Sequence, residues 1–158
     1  MTTDCNIAGV IIAPLRRHVD ARGWLAELFR EDSLPDGFRP AMSYISITRP
    51  GVARGPHEHR EQTDYFFFAG SSLFRVYLWD NRSASPTYGR HCCLEVGENC
   101  PTTILIPPGV VHAYKNIGPV DGLTINTPDR LFGGVGKREP VDEIRYEDDP
   151  ESPFRLSE

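Results

Sequence analysis

The sequence lacks an apolar run long enough to span a bilayer, since the stretch Gly9–Ala13 is far too short. It also lacks a basic region leading into a long apolar stretch near Met1, which is the pattern of a secretory signal. We therefore expect a soluble, cytoplasmic protein that has no membrane partner.

Positive charge and zinc-type cysteine pairs are also scarce. The formal net charge is -5, and no basic block stands out beyond Arg16 and Arg17, which argues against a general nucleic-acid-binding surface. The four cysteines include no pair spaced for zinc, and Cys92 and Cys93 are adjacent. These cysteines are predicted to be reduced, structural thiols.

Convincing helical periodicity is nearly absent. Only residues 26–34 show a weak helical pattern, and this segment fits a strand followed by a turn equally well. The 14 glycines and 14 prolines suit short strands joined by turns. Seven segments rich in aromatic or β-branched residues predict strands at 43–48, 64–69, 73–79, 91–96, 103–106, 112–116 and 122–126. We expect one all-β domain over residues 1–158, with the polar region 128–158 packed on it as a tail.

Two histidine segments lie about fifty residues apart. His57 and His59 alternate along one segment, so in a strand they face the same way, and His112 lies in the other. Three imidazoles can therefore meet in one cavity. With Asp64 they form a ligand set suited to Fe, Mn, Ni or Zn, so a divalent metal ion on His57, His59, Asp64 and His112 is one prediction. Metal-free use of these side chains in proton transfer or substrate binding is the alternative.

The spacing of these residues resembles the cupin metal motifs. His57-Glu58-His59 is followed by an acidic residue, and the segment Pro107–Asn116 has the pattern P-x-G-x-x-H-x-x-x-N. This resemblance implies a cupin double-stranded β-helix, which is a jelly-roll barrel.

Further segments in the same order extend the resemblance over nearly the whole chain. They are Ile7–Val10, Asp20–Trp24 with Glu27, Gly51–Gly55, Asp80–Arg82, Ser85–Gly89 and Ile144–Pro150. In this order the chain resembles the dTDP-4-dehydrorhamnose 3,5-epimerase family. The pattern R-G-x-H-x-H before P-P-G-V-x-H is also similar to sugar-nucleotide 3,4-ketoisomerases.

The resemblance implies an isomerase that inverts C3 and C5 of a nucleotide-linked 4-keto-6-deoxy sugar, without metal or organic cofactor. It assigns His57 as the base, oriented by Asp149 or Asp148, and Arg54 and His112 as substrate-binding residues. In this family the residues matching Arg22 and Glu27 reach the nucleotide across a homodimer interface. The implied setting is rhamnose, polysaccharide or natural-product sugar biosynthesis.

Two departures from the family pattern affect the chemistry. The family's acid is a tyrosine on the strand matching 123–127, which contains none, and Tyr114 or water is the nearest substitute. A lysine and a glutamine of the family are replaced by Asp64 and His59. Two alternatives to the epimerase therefore remain: a metal-binding cupin enzyme that uses the three histidines and Asp64, and a non-catalytic sugar-nucleotide binding protein.

Overall fold

The computed structural model describes residues 5–156, which form an almost purely β structure. Within this range no helix is long or apolar enough to cross a membrane. Its helical segments are the 3-10 turns Glu31–Ser33 and Val135–Lys137. The strands are β1 (Ile11–Pro14), β2 (His18–Asp20), β3 (Gly23–Leu25), β4 (Tyr44–Thr48), β5 (Ala53–Glu58), β6 (Asp64–Phe68), β7 (Leu73–Asp80), β8 (His91–Gly97), β9 (Thr102–Ile106), β10 (Val110–Asn116), β11 (Gly122–Asn126) and β12 (Ile144–Arg145).

Two antiparallel five-stranded sheets make up the barrel. One sheet has the order β1-β9-β6-β11-β4, the other β12-β5-β10-β7-β8, and β2 and β3 form a separate hairpin. The predicted all-β jelly-roll of the cupin type is confirmed. All seven predicted strand segments are strands, with bounds that differ by no more than two residues.

Alternation along the strands builds the core. Phe74, Val76 and Leu78 of β7 are all at most 2% exposed, and they contact apolar residues of the opposite sheet, including Phe66 and Ile104. Residues two apart in a strand share a face, so every second side chain enters the space between the sheets. This alternation fixes which face of each strand packs in the core.

The loop after β7 is held by a buried carboxylate. Asp80 accepts hydrogen bonds from Arg82 Nε at 2.8 Å, Ser85 Oγ at 2.6 Å and Thr87 Oγ1 at 2.5 Å. Arg82 also donates to the Ala8 carbonyl at 2.6 Å. Burial raises the pKa of Asp80, but these hydrogen bonds outweigh it and hold the pKa below its ordinary value. The Ala8 amide donates to Thr87 Oγ1 at 2.9 Å, so Arg82 and Thr87 together attach the N-terminal segment to this loop.

Two of the cysteines are joined, so the prediction of reduced thiols is wrong for them. Cys5 and Cys92 form a disulfide with a Cα–Cα distance of 5.3 Å, whereas Cys93 and Cys100 are not disulfide-bonded. The bonded residues are 87 positions apart. Only the packing of the N-terminal segment against β8 brings them together, and sequence spacing does not reveal it.

The chain after β11 runs along the barrel opening before β12 pairs with β5. Asp142 accepts from three backbone amides, those of Arg60, Glu61 and Gln62, at 2.9 to 3.0 Å. Asp129 accepts from the Thr63 amide at 2.8 Å. These two carboxylates hold the loop between β5 and β6, which carries part of the histidine cluster.

Candidate active site

A cavity of about 1320 Å³ opens at one end of the barrel. Its walls come from β4, β5 and β10 on the barrel side and from residues 128–143 on the other. Tyr44, Arg54, His57, His59 and Tyr114 are among its lining residues. A cavity of this size is large enough for a ligand of several rings.

The histidines meet because β5 and β10 pair antiparallel, with a register shift between His112 and Tyr114. His57 lies opposite His112, and their ring centroids are 4.4 Å apart. Gly55 makes this approach possible, because its φ is +77° and a Cβ there would lie 2.5 Å from the His112 carbonyl oxygen. No L side chain fits that position without displacing the backbone. The glycine before Pro56 thus sets the spacing of the site.

Asp64 joins two of these imidazoles from the opposite sheet. Its Oδ2 lies 3.1 Å from His59 Nε2 and 3.3 Å from His112 Nε2. One ligand atom from each of His57, His59, Asp64 and His112 lies within 4.8 Å of the others. The structure therefore brings together the four residues singled out as candidate metal ligands.

Burial and mutual charge control the ionisation of the cluster. Burial lowers the pKa of His57 and the nearby His112 lowers it further, so the His57 ring is neutral at pH 7. Burial also lowers the pKa of His59, but the Asp64 carboxylate outweighs it and raises that pKa to about 9. Burial raises the pKa of Asp64, yet its contacts with His112 and His59 hold it below the ordinary value.

A tyrosine that sequence analysis did not identify reaches the cluster from β4. Tyr44 lies opposite Asn126 of β11, and the Asn126 amide donates to the Tyr44 hydroxyl at 2.9 Å. The same amide donates to Asp64 Oδ1 at 2.8 Å. Burial of the hydroxyl end, with the Asp64 charge nearby, raises the pKa of Tyr44. In the sequence, Tyr44 only alternates with Ser46 and Thr48, which predicts that these side chains share a strand face. That pattern does not show which strand pairs with this one.

Tyr114, the predicted substitute for the family's acid, is buried deeper in the barrel. Its hydroxyl is 3.1 Å from Ser46 Oγ and 3.3 Å from Thr124 Oγ1. Its ring packs edge-on against three phenylalanines, namely Phe66, Phe68 and Phe74. At 4% exposure it is largely a core residue whose hydroxyl already has polar partners.

The carboxylate facing His57 is Glu143 rather than Asp149. Glu143 Oε1 lies 3.8 Å from His57 Nδ1, and Arg145 Nε donates to Glu143 Oε2 at 2.8 Å. Asp149 is exposed, is not a cavity residue, and accepts from the Glu151 amide. Asp148 is likewise exposed and outside the cavity. The carboxylate that the structure places beside His57 is therefore that of Glu143, the residue immediately before β12, which pairs with β5.

The predicted substrate-binding residues Arg54, Arg22 and Glu27 occupy different places. Arg54 lines the cavity, where it donates to Thr48 Oγ1 at 3.0 Å and to the Ile47 carbonyl at 2.9 Å. Arg22 is paired with Asp20 in the exposed β2–β3 turn, and Glu27 contacts Arg30. Neither Arg22 nor Glu27 lines the cavity of its own chain.

The jelly-roll barrel, with an imidazole and carboxylate cluster at its open end, defines a cupin-type protein. The family model for dTDP-4-dehydrorhamnose 3,5-epimerase matches residues 4–124. The chain therefore belongs to the dTDP-4-dehydrorhamnose 3,5-epimerase family, and it is an isomerase of the sugar-nucleotide epimerase type.

Similar proteins support this placement. The chain is 37% identical to the probable low-salt glycan biosynthesis epimerase Agl13 of Haloferax volcanii, over 80% of this chain and 81% of the relative. It is 39% identical to the spore coat polysaccharide biosynthesis protein SpsL of Bacillus subtilis, over 71% and 73%. A dTDP sugar isomerase from Desulfovibrio desulfuricans G20 superposes with a TM-score of 0.80 at 25% identity, covering 94% of this chain and 91% of that one.

Proposed function

We propose that the protein epimerises a nucleoside-diphosphate-linked 4-keto-6-deoxyhexose in glycan biosynthesis. The observation that carries the proposal is the position of His57 in the cavity wall, with a carboxylate behind its Nδ1. The 4-ketone acidifies the C–H bonds at C3 and C5, so a base beside the sugar can remove a proton there. The glycan-related names of two relatives support the pathway.

His57 acts as the base in this proposal. Glu143 Oε1 faces Nδ1 at 3.8 Å, which favours the tautomer whose Nε2 carries the lone pair. This nitrogen takes the proton from carbon, and the C–H electron pair moves to the keto oxygen as an enolate forms. The contact with Glu143 tightens as the ring gains positive charge, since catalytic hydrogen bonds are often long before substrate binds.

Tyr44 returns a proton to the opposite face. Its hydroxyl is held by Asn126 beside the cluster, and its ring lines the cavity. A raised pKa keeps the phenol protonated at neutral pH, as an acid requires. Tyr44 is preferred over Tyr114 because the Tyr114 hydroxyl is enclosed by Ser46 and Thr124 in the core.

Arg54 binds the charged part of the substrate. Its guanidinium is held at the cavity wall by Thr48 and Ile47, so its position is fixed before the ligand arrives. An arginine presents several donors in a planar fork, which suits diphosphate oxygens or the keto oxygen. His112, the other residue expected to bind substrate, is 3% exposed and does not line the cavity, so this proposal gives it no sugar contact.

We further infer a homodimer. β4 is an edge strand whose Ile45 and Ile47 point outward, with 64% and 48% exposure. An unpaired apolar edge is a surface that proteins normally cover. Arg22 and Glu27 lie outside their own cavity, and in the proposed homodimer they contact the nucleotide bound in the cavity of the second copy. The cytoplasmic location expected from the sequence stays a prediction.

Proton NMR in heavy water tests the proposed reaction. The protein is mixed with dTDP-4-keto-6-deoxyglucose, and the C3 and C5 proton signals are followed with time. We expect one or both signals to disappear and an epimerised sugar to form. Binding of the nucleotide sugar without any exchange would contradict the proposal and would identify a binding protein.

A further inference from the structure

The side chain of Glu58 is buried on the outer face of its sheet. Glu58 follows His57 in β5, so the two side chains point to opposite faces, and Glu58 is 6% exposed. Its Oε1 accepts a hydrogen bond from the Tyr146 hydroxyl at 2.5 Å and another from Asn81 Nδ2 at 2.9 Å. Burial and the Glu58 carboxylate raise the pKa of Tyr146 to about 12, so the phenol stays protonated and donates. A barrel carboxylate is thus paired with a donor from the C-terminal segment.

The C-terminal segment packs on this outer face. Trp79 alternates with the core residues of β7 and so points away from the core, and the Phe154 ring packs on it with centroids 5.8 Å apart. The Tyr146 ring lies edge-on against Phe154 at 4.8 Å. The Tyr146 amide donates to the Pro56 carbonyl at 2.8 Å. Tyr146 therefore joins the C-terminal segment to β5 through both its backbone and its hydroxyl.

The strand β12 is too short to fix its own position. Only Ile144 and Arg145 pair with β5, opposite Glu58 and His57. Strands usually have roughly three to ten residues, so this edge strand forms few bonds that specify its register. A slip by one residue would turn its side chains to the other face and would move Glu143 away from His57 Nδ1. The same slip would leave the buried Glu58 carboxylate without its phenol donor, which costs free energy.

We propose that the hydrogen bond from Tyr146 to Glu58 fixes the register of β12 on β5 and so positions the Glu143 carboxylate beside His57. Neither Tyr146 nor Glu58 lines the cavity, so both are positioning residues. The catalytic consequence rests on the proposed function, in which His57 is the base and Glu143 faces its Nδ1. The register of β12 is a property of the protein without substrate.

Hydrogen–deuterium exchange of the substrate-free protein, measured by mass spectrometry, tests the register. Tyr146→Phe keeps the ring and removes the hydroxyl, so the backbone amides at positions 144–146 should exchange at least about threefold faster. Both donors to Glu58 contact Oε1, so Glu58→Gln keeps an acceptor and should retain most of the protection, whereas Glu58→Ala should lose it. Peptides from β8 are the internal reference, and circular dichroism checks that each variant is folded. Unchanged protection at 144–146 in Tyr146→Phe would overturn the proposal.

Steady-state kinetics with dTDP-4-keto-6-deoxyglucose tests the link to Glu143. Tyr146→Phe should lower kcat by about three- to tenfold, the factor that one hydrogen bond typically contributes, with KM near that of wild type. In a Glu143→Gln protein the same substitution should have no further effect, because the carboxylate that it positions is already absent. Tyr88→Phe, at an exposed tyrosine, is the control.

The outcomes separate this proposal from the proposed function. Equal falls of kcat in the wild-type and Glu143→Gln backgrounds would show that Tyr146 does not act through Glu143, and would contradict the positioning role. A wild-type protein that epimerises no sugar would contradict the proposed function, and the exchange measurement would then decide the register of β12 by itself.

Discussion

The amide of Asn126 joins Tyr44 to Asp64: it donates to the Tyr44 hydroxyl at 2.9 Å and to Asp64 Oδ1 at 2.8 Å. One side chain of β11 therefore positions a phenol from β4 and a carboxylate from β6. Asp64, Asn126 and Tyr44 come from β6, β11 and β4, which are neighbouring strands of one sheet. His57 and His112 come from strands of the other sheet, and His59 lies in the loop after β5. This relationship underlies the predictions about the acid.

Replacing the base should abolish proton exchange. His57→Gln removes the side chain to which the proposed reaction assigns proton removal, so exchange at C3 and C5 should slow by roughly a hundred- to ten-thousandfold. Deuterium incorporation measured by NMR gives the rate, with exposed His91→Gln as the matched control. A His57→Gln protein that exchanges at the wild-type rate would rule out His57 as the base.

Replacing the acid should separate exchange from inversion. Tyr44→Phe leaves His57 in place, so deuterium should still enter the sugar while the inverted product falls by roughly a hundredfold or more. Chromatography of the products together with NMR measures both quantities. Tyr88→Phe, on the exposed loop after β7, is the control and should leave both unchanged.

Tyr114→Phe should affect stability rather than catalysis. It removes the hydroxyl contacts with Ser46 and Thr124 inside the core, which should lower the free energy of unfolding by about 1 kcal/mol. Urea unfolding measures the loss, and the inversion rate should stay near that of wild type. If Tyr114→Phe instead blocks inversion while Tyr44→Phe does not, the acid is Tyr114.

The orienting carboxylate is testable by a pair of substitutions. Glu143→Gln removes the charge that faces His57 Nδ1, so we expect at least about a tenfold fall in kcat with little change in KM. Asp149→Asn removes the carboxylate implied by the family resemblance and should have a small effect, because that residue is exposed. Steady-state rates of both variants decide between them, and the reverse order of effects would restore Asp149.

Asp80 should make stability depend on acid pH. Its folded pKa is depressed, so its contribution to stability is present above the unfolded pKa near 4 and is lost as pH falls through the lower folded pKa. Asp80→Asn should lower the free energy of unfolding at pH 7 by about 2 kcal/mol or more, because charged hydrogen bonds are lost. Denaturation curves between pH 7 and pH 3 should show a smaller pH dependence in the variant. An unchanged slope would contradict this role.

The sequence by itself determined the strands and the shared face of His57 and His59, because side-chain alternation is a local property with a period of two. The same alternation placed aromatic and β-branched residues in the core at the predicted segments. The sequence also shows that Gly55 lies close to His57 along the chain. It does not show that the His112 carbonyl approaches so closely that a glycine is required there.

Only the tertiary structure decided which distant residues complete the site. Tyr44 reaches Asp64 through the β4–β11 pairing, and Glu143 reaches His57 because β12 adds to the edge of β5. The Cys5–Cys92 bond likewise depends on packing between segments that are far apart in the chain. Strand pairing and register between remote segments depend on the whole packed barrel, so no local pattern around Tyr44 or Glu143 reveals their partners.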